Sequence, residues 1–438
     1  MRAIFLMICL LPVVANTQTK KPAVTNDRLN HLAEAYVHLG LTIGLYDPDF
    51  VDAYYGPDNL KPVTVKQTVL PKDSLLKVAD QLINQLRPFF AANNDVSKRA
   101  KWISSQLVAA KRRIKVFSGE QGSFDQEAKE LFGVQPPTFT ENYFRTLVNQ
   151  LDQLLPGKGD VKDRFQLLAN RFIIPADKLD TIYRTTIAET RKRTLQHYPL
   201  PATEDFRLEY VTGKPWSGYN WYQGQYQSLI QINSDITAYI EKAIDVASHE
   251  GYPGHHVYNT LLEKHLYKDK GWVEVSLYPL FSPQSLIAEG GANFGIEVVF
   301  PGTSKIQFAS EVLLPLAGLD TTGLSLYFRV LALKEKLKFS DIEITRRLVD
   351  GKITEAEAIR WTMEYSFTDE KGAARSLAFK KKYRSYVINY TFGLDIVKRY
   401  IENNGGTEKN LAKRWSIFHW LLQTEVMPAD LMTRKMKR

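Results

Sequence analysis

Three of the chain's eight histidines fall within eight residues, His249-Glu250-Gly251-Tyr252-Pro253-Gly254-His255-His256. Imidazole is the usual protein ligand for a divalent metal near neutral pH, and a carboxylate beside a ligating histidine is the usual general base of a metal-dependent hydrolase. The familiar arrangement, His-Glu-x-x-His on a helix, puts two imidazoles four residues apart on one face. Here that second position is Pro253, and histidines follow two and three residues later. Pro253 has no N–H to offer the carbonyl of His249, so a helix carrying His249 and Glu250 must kink or end near it, and Gly254 permits the backbone needed to restart. In an unbroken helix His255 lies about 240° round from His249, whereas His256 returns near the same face at a rise of roughly 10 Å. A Pro-Gly kink can swing His255 back. Spacing therefore leaves both histidines open; taking Pro-Gly as a two-residue expansion of the turn favours His255, with His256 the alternative.

A catalytic metal of this kind takes three protein ligands and keeps one position open. The third is expected to be Glu289, in Leu286-Ile287-Ala288-Glu289-Gly290-Gly291-Ala292-Asn293, a carboxylate interrupting a largely apolar helical stretch and flanked by glycines that allow another helix to pack closely. Glu297, two turns on, is a second candidate. Glu250 is then the general base, taking a proton from water and passing it to a leaving amine. A donor for the developing oxyanion is sought in Tyr383 to Tyr390, with Tyr390 first and Arg384 or Tyr386 behind it. One Zn²⁺ is the expected ion, although imidazole–carboxylate sites also take other divalent metals.

The elements that must position these groups are mostly helices. Apolar residues at three- and four-residue spacing predict helices from Asp27 to Leu45 and around 74–93, 97–116, 142–155, 161–171 and 176–195. Strands are predicted for Phe206–Val211 and Gln227–Asn233, separated by an aromatic, glycine-rich stretch that includes Trp216, Tyr219, Trp221 and Tyr222. A helix at 237–252, with Asp235 near its N-cap, carries His249 and Glu250; the strand before it would offer an edge to an extended peptide. Pro283–Val299 carries Glu289, and further helices are predicted at 304–336, 341–350, 354–365, 371–400 and 408–422. The expected fold is mainly α, a zincin-like multi-helical domain with a small β-sheet preceding the metal-binding helix. An N-terminal helical region, 16–200, would run continuously into a catalytic region, 201–438.

With 438 residues, 44% hydrophobic and 24% charged, the chain has ample length for a buried core. Met1-Arg2 followed by an apolar run to Ala15 reads as a secretory signal peptide, too short to span a membrane in the mature protein. Cys9, within that run, is the only cysteine, so the mature chain would have no disulfide and no thiolate ligand. Export to a periplasm or medium is expected, with a lipoprotein anchored through Cys9 less favoured. The net charge of +9 is dispersed, and no nucleic-acid module surrounds the basic runs.

The motif resembles that of the DUF885 family, exported bacterial proteins of zincin type whose pattern is His-Glu-x-x-Pro-Gly-His-His followed some forty residues later by Glu-Gly-x-Ala. This chain has His249 to His256 and Glu289 to Ala292. The resemblance implies a metallopeptidase-like site with a Glu third ligand. It covers about 200–400. The chain departs from the pattern at Tyr258, at Gly291 and at Arg384-Ser385-Tyr386-Val387, keeps Tyr390-x-x-Gly393, and is short for the family. The expected function is an exported zinc hydrolase cleaving short peptides or small amides. The competitors are a catalytically silent binding protein on the same fold and a metal-dependent amidase or esterase acting on a non-peptide substrate.

Overall fold

The computed structural model describes residues 26–63, 68–91, 94–214 and 216–433. The predicted signal peptide, 1–15, and Cys9 lie outside these residues. The fold is mainly α with small sheets, as the apolar spacing predicts.

Helices α1 (Asn26–Gly44), α2 (Lys72–Leu86) and α3 (Asp95–Phe117) enclose a core of their own around Leu29, Tyr36, Leu82, Trp102 and Leu107. Asn94 caps α3 by accepting from the backbone N–H of Ser97. A larger core gathers α4 (Phe124–Phe132), α5 (Glu141–Leu154), α6 (Val161–Ala169), α7 (Leu179–Leu195) and most of the chain downstream, although Leu277 belongs to the first core. The hydrophobic seam thus falls between α3 and α4. Strand β1 (Val51–Tyr54), from the first part, crosses it to pair antiparallel with β5 (Leu277–Pro279), and Arg99 crosses it to fork onto the buried Glu274.

Both predicted strands form, and the aromatic stretch between them supplies a third. The order is β2 (Asp205–Val211), β4 (Gln227–Asn233), β3 (Gly218–Gly224), with β2 parallel and β3 antiparallel to β4. The strand just ahead of the motif helix is therefore the middle one, paired on both sides; the edge nearest the motif belongs to β3. Gln225 and Tyr226 both adopt positive φ in the β3–β4 turn, without the usual Asn-Gly signature. Glu263 holds them there by accepting from both backbone N–H groups, at 3.0 and 3.2 Å.

The motif helix begins later than predicted. Asp235 does not cap it but accepts from the N–H of Gly213, and α8 runs from Ile240 to Val246. It passes into a single π-helical turn, Ala247–Gly251, before α9 (His255–Leu262). Helix α10 (Pro283–Val299) has the predicted bounds, with Ser282 as N-cap and proline in its first turn. The predicted 304–336 helix is broken into α11 (Ser304–Phe308), α12 (Leu314–Ala317) and α13 (Leu324–Leu337), with Gly318 and Gly323 at positive φ. Next come α14 (Phe339–Val349) and α15 (Glu355–Ser366). The predicted 371–400 helix is two, α16 (Glu370–Tyr383) and α17 (Ile388–Asn403), parted by a 3₁₀ turn in which Arg384 has a φ of 51°. Helices α18 (Leu411–Leu422) and α19 (Pro428–Thr433) close the chain.

Candidate metal centre

The π turn and the break after it decide where the imidazoles go. Gly254 doubles back so tightly that a Cβ there would stand 1.9 Å from the carbonyl oxygen of His249, so only glycine fits. Its N–H returns to the carbonyl of Ser248 at 3.0 Å. Helix α9 restarts at once, with His255 as its first residue, and His255 Nε2 arrives 3.1 Å from His249 Nε2. The third side chain comes from α10: Glu289 Oε2 lies 3.3 Å from His249 Nε2 and 3.7 Å from His255 Nε2.

Helix α10 is held there by glycine contacts. A Cβ on Gly290 would meet the backbone of Gly393 in α17 at 2.4 Å, and one on Gly295 would meet the Pro253 ring at 3.2 Å. Gly290, beside Glu289, thus lets α10 lie directly on α17, and Gly295, further along the helix, lets it lie on the turn between the histidines.

The triad fits a divalent cation. Four donors about 2.0–2.1 Å from a tetrahedral ion stand roughly 3.3 Å apart, and the three observed separations bracket that value. Glu289 is only 7% exposed, and its Oε2 is buried without a hydrogen-bond partner. Its Oε1 accepts from the Tyr386 hydroxyl at 3.1 Å, an outer hydrogen bond of the kind that orients a ligating carboxylate. Burial would raise the Glu289 carboxyl, but the imidazoles of His249 and His255 close beside it hold it far below the usual carboxylate range. Burial would lower the His255 imidazole, and the same carboxylate, with Glu250 and Asp52, lifts it instead to about 9.

Glu250 stands on the π turn, 7% exposed. Its carboxyl is raised by burial and by the charge of Glu289, against the opposing pull of His249 and His255. Strand β3 runs beside it: Asn220 donates to the Glu250 carbonyl at 2.7 Å, and a Cβ on Gly218 would lie 3.4 Å from a Glu250 carboxylate oxygen.

Tyr390 is on α17 with 38% of its surface exposed. Burial, then the charge of Glu289, push its hydroxyl well above the ordinary range, so it stays protonated. Arg384 is elsewhere. Its guanidinium forks onto the buried Glu127 at 2.8 Å and reaches Gln121 and the Gly122 carbonyl, which removes it as an oxyanion donor. Glu297 pairs with Lys398 at 2.7 Å and does not join the triad. His256, wholly buried, meets Ser228 Oγ with Nδ1 and Glu204 Oε2 with Nε2, both at 2.9 Å, which takes up both ring nitrogens and corrects the alternative that it is a ligand.

Sequence reasoning missed Glu204 and Asp52. Glu204 gathers His256, Tyr252 and Arg191 beneath the motif; burial alone would raise its carboxyl, but these donors hold it below the usual range. Asp52, on β1, accepts from the Tyr219 hydroxyl, and burial lifts its carboxyl to about 6. Neither stands near the motif in sequence, and neither has a local signature.

No family model and no curated protein matches the chain. Among solved structures, a candidate lipoprotein from Colwellia psychrerythraea is similar at 15% identity, with a TM-score of 0.51 over 82% of this chain and 68% of that one. A candidate lipoprotein of unknown function from Shewanella oneidensis is similar at 14% identity, with a TM-score of 0.41 over 81% and 71%. Metallocarboxypeptidase 1 of Trypanosoma cruzi is similar at 11% identity, with a TM-score of 0.41 over 93% and 94%. These likenesses concern the fold.

Proposed function

We propose that the chain is an exported metal-dependent hydrolase, a zinc peptidase acting on short peptides and a distant relative of the DUF885 family that its motif resembles. The observation that carries this reading is the meeting of His249 Nε2, His255 Nε2 and the orphaned Glu289 Oε2 beside the buried carboxylate of Glu250. His249, His255 and Glu289 would hold the ion. When bound, a divalent ion there supplies Lewis acidity toward a carbonyl oxygen and makes water more acidic.

The chain's own residues do the rest. Glu250, its carboxyl raised above the usual carboxylate range by burial, takes a proton from the attacking water and delivers it to the leaving amine. Tyr390 donates its hydroxyl to the oxygen that gains charge as the carbonyl becomes tetrahedral. Tyr386 holds Glu289 in place through its hydroxyl. The signal-like run at 1–15 supports export.

The test is elemental analysis of the purified chain with His249→Ala and Glu289→Ala, followed by digestion of a peptide library. About one zinc per chain in the parent and none in either variant is expected. Glu250→Gln should keep its metal and lose turnover by roughly 10²–10⁴-fold. A parent that stays metal-free after dialysis against zinc overturns the reading. A parent that binds zinc yet cleaves nothing leaves a silent binding protein.

A further inference from the structure

Asp52 borders the proposed centre and has no part in the chemistry assigned to it. It is the irregular residue of β1, whose pairing with β5 slips between Val51 and Ala53, and such a bulge re-aims a side chain. Here the side chain reaches β3, where the Tyr219 hydroxyl donates to it. The carboxylate lies close enough to His255, Glu289 and Glu250 for their charges to act on it. Tyr219 in turn stands in a row of rings, with Trp216 at 5.4 Å and Trp221 at 4.5 Å between centroids, and Trp221 is 41% exposed. Gly218, at the head of β3, is placed so that a Cβ on it would meet the Glu250 side chain at 3.3 Å, so the strand that carries these rings starts beside the proposed base.

A divalent ion at the triad would answer Glu289, but Asp52 has no cation of its own. Among the described residues it forms no ion pair with a lysine or arginine, although the chain carries an excess of nine basic groups. A carboxylate bordered by aromatic rings, one of them exposed, is the chemistry that holds an organic cation, by ion pairing and by cation–π attraction. We propose that Asp52, with Tyr219 and the flanking tryptophans, binds a positively charged group of the substrate, a free amino terminus or a basic side chain, and so selects cationic peptides. The word substrate rests on the hydrolase reading; the cation subsite itself does not.

The competing role for Asp52 is purely structural, a tie between β1 and β3. Asp52→Asn can still accept from Tyr219 but carries no charge, whereas Tyr219→Phe keeps the charge and loses the tie. Binding is read by calorimetry on the zinc-loaded full chain in a Glu250→Gln background, so that no probe is consumed. The probes are tetra-alanine with a free amino terminus, its N-acetyl form, and N-acetyl peptides with lysine or glutamine at the second position.

At least one cationic probe should bind about tenfold more tightly than its neutral partner. Which pair shows the difference tells amino terminus from side chain. Asp52→Asn should erase the advantage and Tyr219→Phe should keep most of it. If Asp52→Asn does not fold, raising the salt from roughly 0.05 to 0.5 M should shrink the advantage without affecting the neutral probes. Equal binding of cationic and neutral probes, an advantage untouched by Asp52→Asn or by salt, or no binding of any probe overturns the proposal. Cleavage of the same peptides by the parent is scored separately. Hydrolysis without charge preference leaves the hydrolase reading standing and sinks this one, and charge-dependent binding without hydrolysis does the reverse.

Discussion

His255 and His256 are adjacent in the chain and buried, yet their rings end in separate networks. His255 turns to His249 and Glu289; His256 turns to Ser228 and Glu204. His255→Ala should therefore abolish metal binding. His256→Ala should keep about one metal per chain and lose roughly 2–3 kcal/mol of stability, because Glu204 and Ser228 are left buried with a partner missing. Elemental analysis beside urea denaturation separates the two, and equal metal loss in both variants would mean that His256 supports the site more directly than its contacts indicate. The residue types of the centre were legible because few side chains hold metal and they cluster near one proline. The assignment between neighbouring histidines was not, since it depends on Gly254 lying against the His249 carbonyl and on Glu204, fifty-two positions before His256. Arg384 misled for the same reason: its partner Glu127 is 257 residues away.

At the scale of elements, α10 and α17 position the ligand and its hydrogen-bond donor together. Gly290 lies on Gly393, and the 3₁₀ break before α17 carries Tyr386 onto Glu289. Gly290→Ala would force a methyl group into the backbone of α17. It should cost about 1–3 kcal/mol and weaken zinc affinity, because the two helices must separate where Glu289 projects. Gly291→Ala is the control: its Cβ would meet only a Leu422 methyl at 3.9 Å, and alanine favours a helix by about 1 kcal/mol, so stability should hold or rise. Zinc titration and denaturation of both variants check this; similar losses in the two would remove the helix crossing as the cause. Helix α10 could be read from the sequence because its apolar content is continuous and Ser282-Pro283 marks its start. The division of 371–400 could not, because Arg384 is an ordinary residue held at positive φ by a distant carboxylate. Nor could the β3–β4 turn, whose Gln225 and Tyr226 depend on Glu263.

For the whole molecule, the question is whether two hydrophobic cores behave as one unit. The proposed ligands all stand on π-turn, α9 and α10 backbone within the larger core, while Asp52 reaches the site from a strand that belongs to the first part of the chain. Cutting the seam would unpair β1 from β5 and leave the fully buried Glu274 without Arg99. A buried carboxylate stripped of its partner costs about 3–5 kcal/mol, which penalises any state with one core folded and the other open. Thermal unfolding should therefore show one transition, and zinc should move all of it. At a free zinc concentration 1,000-fold above Kd, ligation adds about 4 kcal/mol. For a chain of 438 residues that corresponds to a rise in Tm of about 4 °C, from about 2.1 cal/mol/K of unfolding entropy per residue. Calorimetry with and without chelator measures it, and His249→Ala should give the chelated Tm at every zinc concentration. If zinc instead splits the melt, moving one transition and leaving the other in place, the seam is weaker than the Arg99–Glu274 pair and the β1–β5 pairing imply, and the metal stabilises the larger core alone.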